Sequence, residues 1–248
     1  GIQCGDRIAG YMPNMPETLA AMLAAASLGA IWTSCSPDFG TDGAVDRFGQ
    51  TAPRMLFCPD GYWYNGKPVQ ILDKIRVIAG QLPSVEKIVV VPYLGEADAF
   101  AANVPRAVTL DGLLQGFVAR QLQFVRVPFK HPLFILYSSG TTGKPKCIVH
   151  GIGGTLLQHL KEHQLHCDIK PGERIFYFTT CGWMMWNWLV SALASGATLV
   201  LYDGSPFYPD GNVLWDLARD EEVALFGTSA KYLDALHKQG YAPINTHD

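Results

Sequence analysis

The chain has 248 residues, enough for one large domain or two subdomains with a substantial core. Apolar residues make up 48% of it and charged residues 17%, which is typical of folded globular proteins and unlike disordered or fibrous chains. The formal net charge of −3 gives no reason to expect a nucleic-acid partner or a membrane surface, and no apolar stretch reaches the ~18 uninterrupted residues of a membrane span.

Short apolar runs and helix-like patterns alternate along the chain. Strands are predicted at residues 7–11, 31–34, 54–58, 87–91, 133–137, 174–178, 197–202 and 223–226. Helices are predicted at residues 16–28, 42–50, 69–79, 155–166, 188–195, 213–219 and 229–238. Because strands that alternate with helices form mostly parallel sheets, the pattern predicts an α/β fold with two mostly parallel sheets flanked by helices.

Prolines interrupt this alternation in the middle of the chain. Pro105, Pro128 and Pro132 fall in a stretch whose hydrophobic periodicity is weak. We therefore predict a first α/β subdomain at residues 1–130 and a second at residues 131–248.

The cysteines are scattered and include no Cys-x-x-Cys pair; they are Cys4, Cys35, Cys58, Cys147, Cys167 and Cys181. In a chain of this size that distribution is typical of reduced thiols rather than of a disulfide framework. No signal peptide is visible, so the sequence predicts a cytoplasmic protein.

A loop rich in hydroxyls and glycines follows the apolar run that ends at Leu136. Residues 137–146 read Tyr-Ser-Ser-Gly-Thr-Thr-Gly-Lys-Pro-Lys. Glycines let backbone N–H groups turn toward an anion, hydroxyls add donors, and lysines supply positive charge. The stretch from Gly112 to Lys161 contains no Asp or Glu, so the local field favours an anionic ligand. The loop therefore predicts a polyphosphate-binding site.

Three other interpretations of this loop are weaker. An ordinary connecting turn explains the glycines and hydroxyls, but not the two lysines or the missing carboxylates. A Walker A loop needs Gly-x-x-x-x-Gly-Lys-Ser/Thr, whereas Gly140 and Gly143 are too close together and Pro145 follows Lys144. The Gly-x-Gly-x-x-Gly pattern of dinucleotide-binding folds does not occur at this position.

Residues 137–146 resemble the phosphate-binding loop of the adenylate-forming superfamily of acyl-CoA synthetases, luciferases and peptide synthetases, whose pattern is Ser-Gly-Ser/Thr-Thr-Gly-x-Pro-Lys. The resemblance continues through residues 148–150, 180–187, 202–206 and 226–230, and upstream through residues 11–14, 36–40 and 64–67. The upstream segments are most similar to family members that act on acetoacetate. The resemblance implies part of the large N-terminal α/β domain of this superfamily.

The resemblance also implies a ligase that joins a carboxylate to ATP, releases pyrophosphate, and passes the acyl group from AMP to coenzyme A. The implied small molecules are acetoacetate, ATP with Mg²⁺ and coenzyme A, with acetate or propionate as alternative acids. The residues that would surround the phosphates or add charge are Ser138, Ser139, Gly140, Thr141, Thr142, Gly143 and Lys146. Lys144 occupies the variable position of the pattern, and Cys147 stands where relatives usually carry Gly or Ala.

An aromatic segment corresponds to the acyl-pocket region of the family. Trp183 would form a wall of the pocket, and Met184, Met185 and Trp186 would shape the cavity. The alternative is plain core packing, since Met and Trp in an apolar run usually pack in a core. The amide of Asn187 could hydrogen-bond a ketone oxygen, which would suit a β-keto acid.

A second segment of the pocket is implied further along the chain. Gly227, Thr228 and Ser229 align with family residues near the acyl and adenylate groups. Thr228 or Ser229 could equally serve as the N-cap of the following helix, and the two roles are compatible.

Three histidines, His159, His163 and His166, fall on one face of a predicted helix. No His-Glu-x-x-His zinc motif is complete, so we interpret them as a solvated or partly packed helix face and predict no metal site. Cys147 and Cys181 lie in no recognisable Cys/His motif, so neither is predicted to be a nucleophile.

The family motifs expected beyond residue 248 do not occur in this chain. They are an acidic residue that helps hold Mg²⁺, an Asp that binds the ribose, and a C-terminal domain with the adenylation Lys, so the catalytic residues are unknown here. The chain opens without Met and stops after a helix-like segment, which suggests a fragment. We expect it to supply the phosphate loop and part of the acyl pocket, with weak or no activity alone. A non-catalytic nucleotide-binding module is the competing class.

Overall fold

The computed structural model describes residues 1–138 and 143–247. The strands are β1 (Arg7–Tyr11), β2 (Ile31–Cys35), β3 (Met55–Pro59), β4 (Tyr62–Tyr64), β5 (Lys67–Val69), β6 (Lys87–Val91), β7 (Ala107–Thr109), β8 (Pro132–Ser138), β9 (Lys146–Gly151), β10 (Arg174–Tyr177), β11 (Thr198–Val200) and β12 (Val223–Gly227). The helices are α1 (Pro16–Ser27), α2 (Thr41–Thr51), α3 (Leu72–Gln81), α4 (Ala97–Ala102), α5 (Leu110–Leu114), α6 (Ile152–Lys161), α7 (Met184–Ser191), α8 (Val213–Asp220) and α9 (Ala230–Lys238). A π-helical turn, Glu162–His166, extends α6, and 3₁₀ turns lie at Ala192–Ser195 and Pro243–Asn245.

Contacts divide the chain into two compact units. The first comprises Gly1–Tyr62 and Pro68–Thr155, and the second comprises Trp63–Lys67 and Leu156–Asp248. The first unit contains a seven-stranded sheet of order β7-β6-β3-β1-β2-β8-β9, parallel except for the antiparallel β8–β9 pair. The second contains the parallel sheet β11-β10-β12. The predicted α/β fold with two mostly parallel sheets is confirmed.

The division by contacts falls later in the chain than the predicted boundary between residues 130 and 131. Strand β8 pairs with β2 through Trp32–Phe134 and Thr33–Ile135, and β9 pairs with β8. Both strands therefore belong to the sheet of the first unit, although they follow the proline-rich stretch. The division into subdomains at residues 1–130 and 131–248 stays a prediction.

Most predicted elements are present, with ends shifted by a few residues. The predicted strands at residues 7–11 and 87–91 match β1 and β6 at both ends. The elements β4, β5, α4, β7, α5 and β9 were not among the predicted strands and helices. The predicted helix at 69–79 begins only at Leu72, and Val69 instead ends β5. No helix among the described residues is long and apolar enough to cross a membrane.

Helix α1 has the start and stop signals expected from its sequence. Pro16 is its first residue, where the missing N–H is not needed. Gly29 follows the helix with φ +68°; its N–H donates to the Ala26 carbonyl (3.0 Å), and the Ala30 N–H donates to the Ala25 carbonyl (2.9 Å). This is a Schellman ending, and it turns the chain directly into β2.

Both sheets bury apolar residues on both faces. In β3 and β6, Leu56 and Val90 pack in a cluster with Phe48 of α2 and residues of α3, whereas Phe57 and Val91 belong to a separate cluster. In β10, Ile175 packs in a cluster with residues of α7, and the next residue, Phe176, packs with residues of α8 and α9. Because successive side chains of a strand point to opposite faces, these near-continuous apolar strands need helices on both sides.

A buried carboxylate organises the turn after β6. Asp60 is fully buried, and its oxygens accept hydrogen bonds from the backbone N–H groups of Tyr93 (2.8 Å), Leu94 (2.7 Å) and Glu96 (2.6 Å). A carboxylate can satisfy several converging N–H donors at once. Asp60 therefore fixes the path of the chain between β6 and α4.

We predict that Asp60→Ala destabilises the protein by about 3 kcal/mol, because three inward-facing N–H groups lose their acceptor. Asp60→Asn keeps one acceptor oxygen of similar geometry and should destabilise it by only about 1 kcal/mol. Urea unfolding monitored by circular dichroism measures both. Equal stability of the Ala and Asn variants would contradict this role for the carboxylate.

Candidate functional site

The predicted phosphate loop connects the two strands of an antiparallel hairpin. Ser138, the last residue of β8, lies opposite Lys146, the first residue of β9. Ser139, Gly140, Thr141 and Thr142 lie outside the described residues. Gly143 follows with φ +92°, a left-handed conformation that favours glycine. The hairpin therefore holds both ends of the loop at a fixed spacing.

The end of β8 is anchored inside the first unit by the ring before Ser138. The phenol oxygen of Tyr137 accepts a hydrogen bond from Thr33 Oγ1 of β2 (2.7 Å). Burial raises the pKa of the Tyr137 phenol well above its ordinary value, so the ring stays neutral at physiological pH. The guanidinium carbon of Arg47 lies 5.7 Å from the Tyr137 ring centroid and 4.6 Å from that of Phe39. These contacts fix where Ser138 begins the loop.

The returning arm of the loop contacts α2. Gln50 Nε2 donates to the Pro145 carbonyl (2.8 Å), and the Lys144 ammonium lies 3.3 Å from Asp46 Oδ1. Lys146 is exposed, and within the described parts of the chain no hydrogen bond or ion pair holds its ammonium group. Of the two loop lysines, Lys146 is therefore the better placed to meet an anion.

A separate cleft in the second unit lies at the carboxyl ends of β10 and β12. Its volume is about 390 Å³, and it is lined by Tyr177, Phe178, Thr179, Thr180, Trp183, Met185 and Ser229. These residues follow the ends of parallel neighbouring strands, the edge at which open α/β sheets bind ligands. The lining is largely apolar, which suits an acyl chain.

The predicted pocket residues of the aromatic segment take different positions. Trp183 and Met185 line the cleft, and Trp183 is 61% exposed. Met184 is 45% exposed and is not part of the lining, and Trp186 is fully buried as core packing predicts. Asn187 is buried in α7 and is not part of the lining.

The three residues of the segment 227–229 have different surroundings. A Cβ atom on Gly227 would lie 2.1 Å from the Tyr177 ring, so the glycine is what allows that ring to lie against β12. Ser229 lines the cleft and also caps α9, since its hydroxyl accepts from the Tyr232 N–H (3.2 Å). The predicted N-cap is confirmed at Ser229. The Thr228 hydroxyl oxygen is buried.

Several buried polar atoms around this segment lack partners among the described residues. They are Oγ1 of Thr180, Oγ1 of Thr228, and both amide atoms of Asn187. Unsatisfied polar groups are costly in an interior, so their presence near a cleft indicates a place where a ligand or water completes the hydrogen bonding. Tyr177, Thr179 and Thr180 line the cleft but were not predicted to do so, because they form no recognisable sequence motif.

The three predicted histidines form a packed helix face in part. His159 Nδ1 lies 2.6 Å from the Ser191 hydroxyl of α7, and the His163 ring packs edge-on against Trp188 with centroids 4.3 Å apart. Burial lowers the pKa of His163, so the ring is neutral at physiological pH. His166 is exposed. These contacts agree with the packing interpretation of this face.

Comparison with known proteins places these features in a family. Residues 1–247 match the AMP-binding enzyme family. The chain is 62% identical to an acetoacetyl-coenzyme A synthetase of Rhizobium meliloti (strain 1021) and 50% identical to an acetoacetyl-CoA synthetase of Gallus gallus; each match covers 100% of this chain and 38% of the relative.

A solved structure agrees with these matches. The acetoacetyl-CoA synthetase from Streptomyces lividans superposes with a TM-score of 0.91 at 44% sequence identity, over 100% of this chain and 37% of that protein. The chain thus spans well under half the length of the relatives it resembles. The hairpin loop, the cleft at the strand ends and the match over nearly every residue agree: the chain belongs to the AMP-binding enzyme family.

Proposed function

We propose that the full-length protein is an ATP-dependent ligase that activates acetoacetate as its acyl-adenylate and transfers the acyl group to coenzyme A. The observation that carries this proposal is the phosphate-loop hairpin, with Lys146 unpaired among the described residues, in a chain 62% identical throughout to an acetoacetyl-coenzyme A synthetase. In the first step a carboxylate oxygen attacks the α-phosphorus of ATP and pyrophosphate leaves. In the second step the thiol sulfur of coenzyme A attacks the acyl carbon and AMP leaves.

The proposed role of the loop is to reduce the electrostatic repulsion between the two anionic substrates of the first step. A carboxylate must approach a triphosphate that is already negative, and pyrophosphate leaves with further charge. Preorganised N–H donors and a lysine beside the phosphates lower that repulsion and stabilise the leaving group. We assign this role to Ser138, Ser139, Gly140, Thr141, Thr142, Gly143 and Lys146. Two observations support the assignment: Lys146 has no hydrogen-bond or ion-pair partner among the described residues, and Gly143 has a left-handed conformation.

The cleft of the second unit is proposed to hold the acyl group. Trp183 supplies an apolar wall, Ser229 lines the cleft, and Gly227 leaves the space in which the Tyr177 ring lies against the sheet. Met184 and Thr228 are assigned to the pocket from the family resemblance alone. The volume of about 390 Å³ is large enough for a four-carbon acid. The buried amide of Asn187, which has no hydrogen-bond partner in the described part of the chain, supports a substrate that carries a polar atom beyond its carboxylate.

Magnesium is expected as the partner of ATP, but this chain is not assigned its site. Among the described residues no group of three or more His, Cys, Asp or Glu side chains could hold a metal ion. We therefore derive no step through Mg²⁺ from these residues. The cytoplasmic location stays a prediction.

Carboxylate-dependent ATP–pyrophosphate exchange tests the proposed function. We expect the full-length protein to exchange fastest with acetoacetate, and more slowly with acetate, propionate and butyrate. We expect this chain alone to show weak exchange or none. Faster exchange with acetate or propionate would favour another short-chain acyl-CoA synthetase. ATP binding without exchange for any acid would favour a non-catalytic nucleotide-binding module.

We predict that Lys146→Met raises the KM for ATP at least tenfold in the full-length protein, because a charge-assisted contact to phosphate is lost. Lys130→Met is the matched control: it removes an exposed lysine of the same carboxylate-free stretch, outside the loop, and should leave that KM within about twofold. Initial-rate kinetics at saturating acetoacetate measure both. A similar effect of the two substitutions would show that only the general field matters.

We predict that Asn187→Ala removes the preference for acetoacetate over butyrate, because butyrate has the same chain length without the keto oxygen. Hydrogen-bonding sites typically discriminate against analogues that lack the bonded group, so the kcat/KM ratio of the two acids should fall about tenfold or more. Thermal unfolding of the variant controls for a packing effect. A variant that still prefers acetoacetate would count against this role of the amide.

A further inference from the structure

Helix α2 contacts both arms of the phosphate-loop hairpin. On the outgoing arm, Arg47 lies over the Tyr137 ring, one residue before the end of β8. On the returning arm, Gln50 reaches the Pro145 carbonyl and Asp46 reaches Lys144. Asp46 and Gln50 are four residues apart, so one face of the helix presents both side chains to the same arm. Gln50 Nε2 also donates to the Asp46 carbonyl (2.7 Å), which orients its amide.

The two contacts differ in kind. Pro145 directly precedes β9, and its carbonyl accepts the exposed 2.8 Å hydrogen bond from Gln50, which restrains the backbone at that point. The Lys144–Asp46 pair is 3.3 Å long with side chains 73% and 38% exposed, and such pairs contribute little to stability. The pair nevertheless directs the Lys144 ammonium toward α2.

We propose that α2 is the positioning element of the phosphate loop, with Gln50 holding the returning arm and Asp46 engaging Lys144, so that Lys146 alone of the two lysines serves the phosphates. This inference rests on the proposed function, because it concerns how the phosphates of ATP are bound. It assigns Lys144 a tethering role and Gln50 a role at a distance from the ligand. It also separates the two lysines, which are equivalent in charge.

The first experiment replaces Gln50 with Met, which has a similar shape but no donor, in the full-length protein. We expect the KM for ATP to rise about threefold to tenfold, as for one lost hydrogen bond, with kcat, the KM for acetoacetate and the melting temperature unchanged. Gln81→Met, at the exposed end of α3, is the matched control and should change none of these. An unchanged KM for ATP in Gln50→Met, or equal changes in the KM values of both substrates, would overturn the proposal.

The second experiment is a double-mutant cycle between the tether residues. Lys144→Met and Asp46→Asn should each raise the KM for ATP by no more than about threefold, and the double variant should be no worse than either single one. Asp42→Asn, one helical turn earlier in α2, should instead combine additively with Lys144→Met. A tenfold or larger effect of Lys144→Met, comparable to that of Lys146→Met, would identify Lys144 as a phosphate ligand and overturn its tethering role.

The experiments distinguish a wrong ligase function from a wrong positioning role of α2. If the wild-type protein neither binds ATP nor exchanges pyrophosphate, the proposed function itself is wrong. If the wild-type protein is active and the Gln50 variant behaves like its Gln81 control, or Lys144→Met has an effect as large as Lys146→Met, the ligase function stands and only the positioning role of α2 is wrong.

Discussion

The position of β8 in its sheet is the constraint on which the proposed phosphate site depends. This strand has a parallel neighbour, β2, on one side and an antiparallel neighbour, β9, on the other. The parallel pairing buries Phe134 and Ile135 in the first unit, and the antiparallel pairing returns the chain at once, with Lys146 opposite Ser138. A short glycine-rich loop can direct N–H groups at an anion only if both its ends are held. The Thr33–Tyr137 bond and the contacts from α2 hold them here.

The proposed acyl site in the second unit depends on packing instead of strand pairing. An apolar cleft is shaped by steric fit, and several buried polar atoms near its segments have no partner among the described residues. Gly227 lets the Tyr177 ring lie on β12, and Trp188 packs edge-on to the same ring at 6.1 Å. Among the described residues, buried polar atoms of Thr180, Thr228 and Asn187 have no hydrogen-bond partner, a state that a purely apolar substrate would leave uncorrected. These atoms are the observation behind the proposal that the substrate is an acid with a second oxygen function.

The sequence predicts long buried elements well and short exposed ones poorly. The bounds of β6 are predicted to the residue, because its four consecutive buried β-branched residues are typical of a strand covered on both faces. The β4–β5 hairpin was missed, although Asn65 and Gly66, both with positive φ, are a typical hairpin turn. Helix α7 begins four residues before its predicted start at Trp188. No side chain caps this helix, so no local sequence signal marks its first residue. The loop motif was recognisable locally, whereas the bond from Gln50 joins residues 95 positions apart and leaves no local pattern.

The most direct measurement of the central claim is a crystal structure of the full-length protein with a non-hydrolysable ATP analogue. We expect the β- and γ-phosphate oxygens to lie about 3 Å from backbone N–H groups of the loop and from Lys146 Nζ, with Lys144 still turned toward Asp46. Phosphates bound away from the β8–β9 loop, or Lys146 turned away from them, would contradict the assignment of this hairpin as the phosphate-binding site.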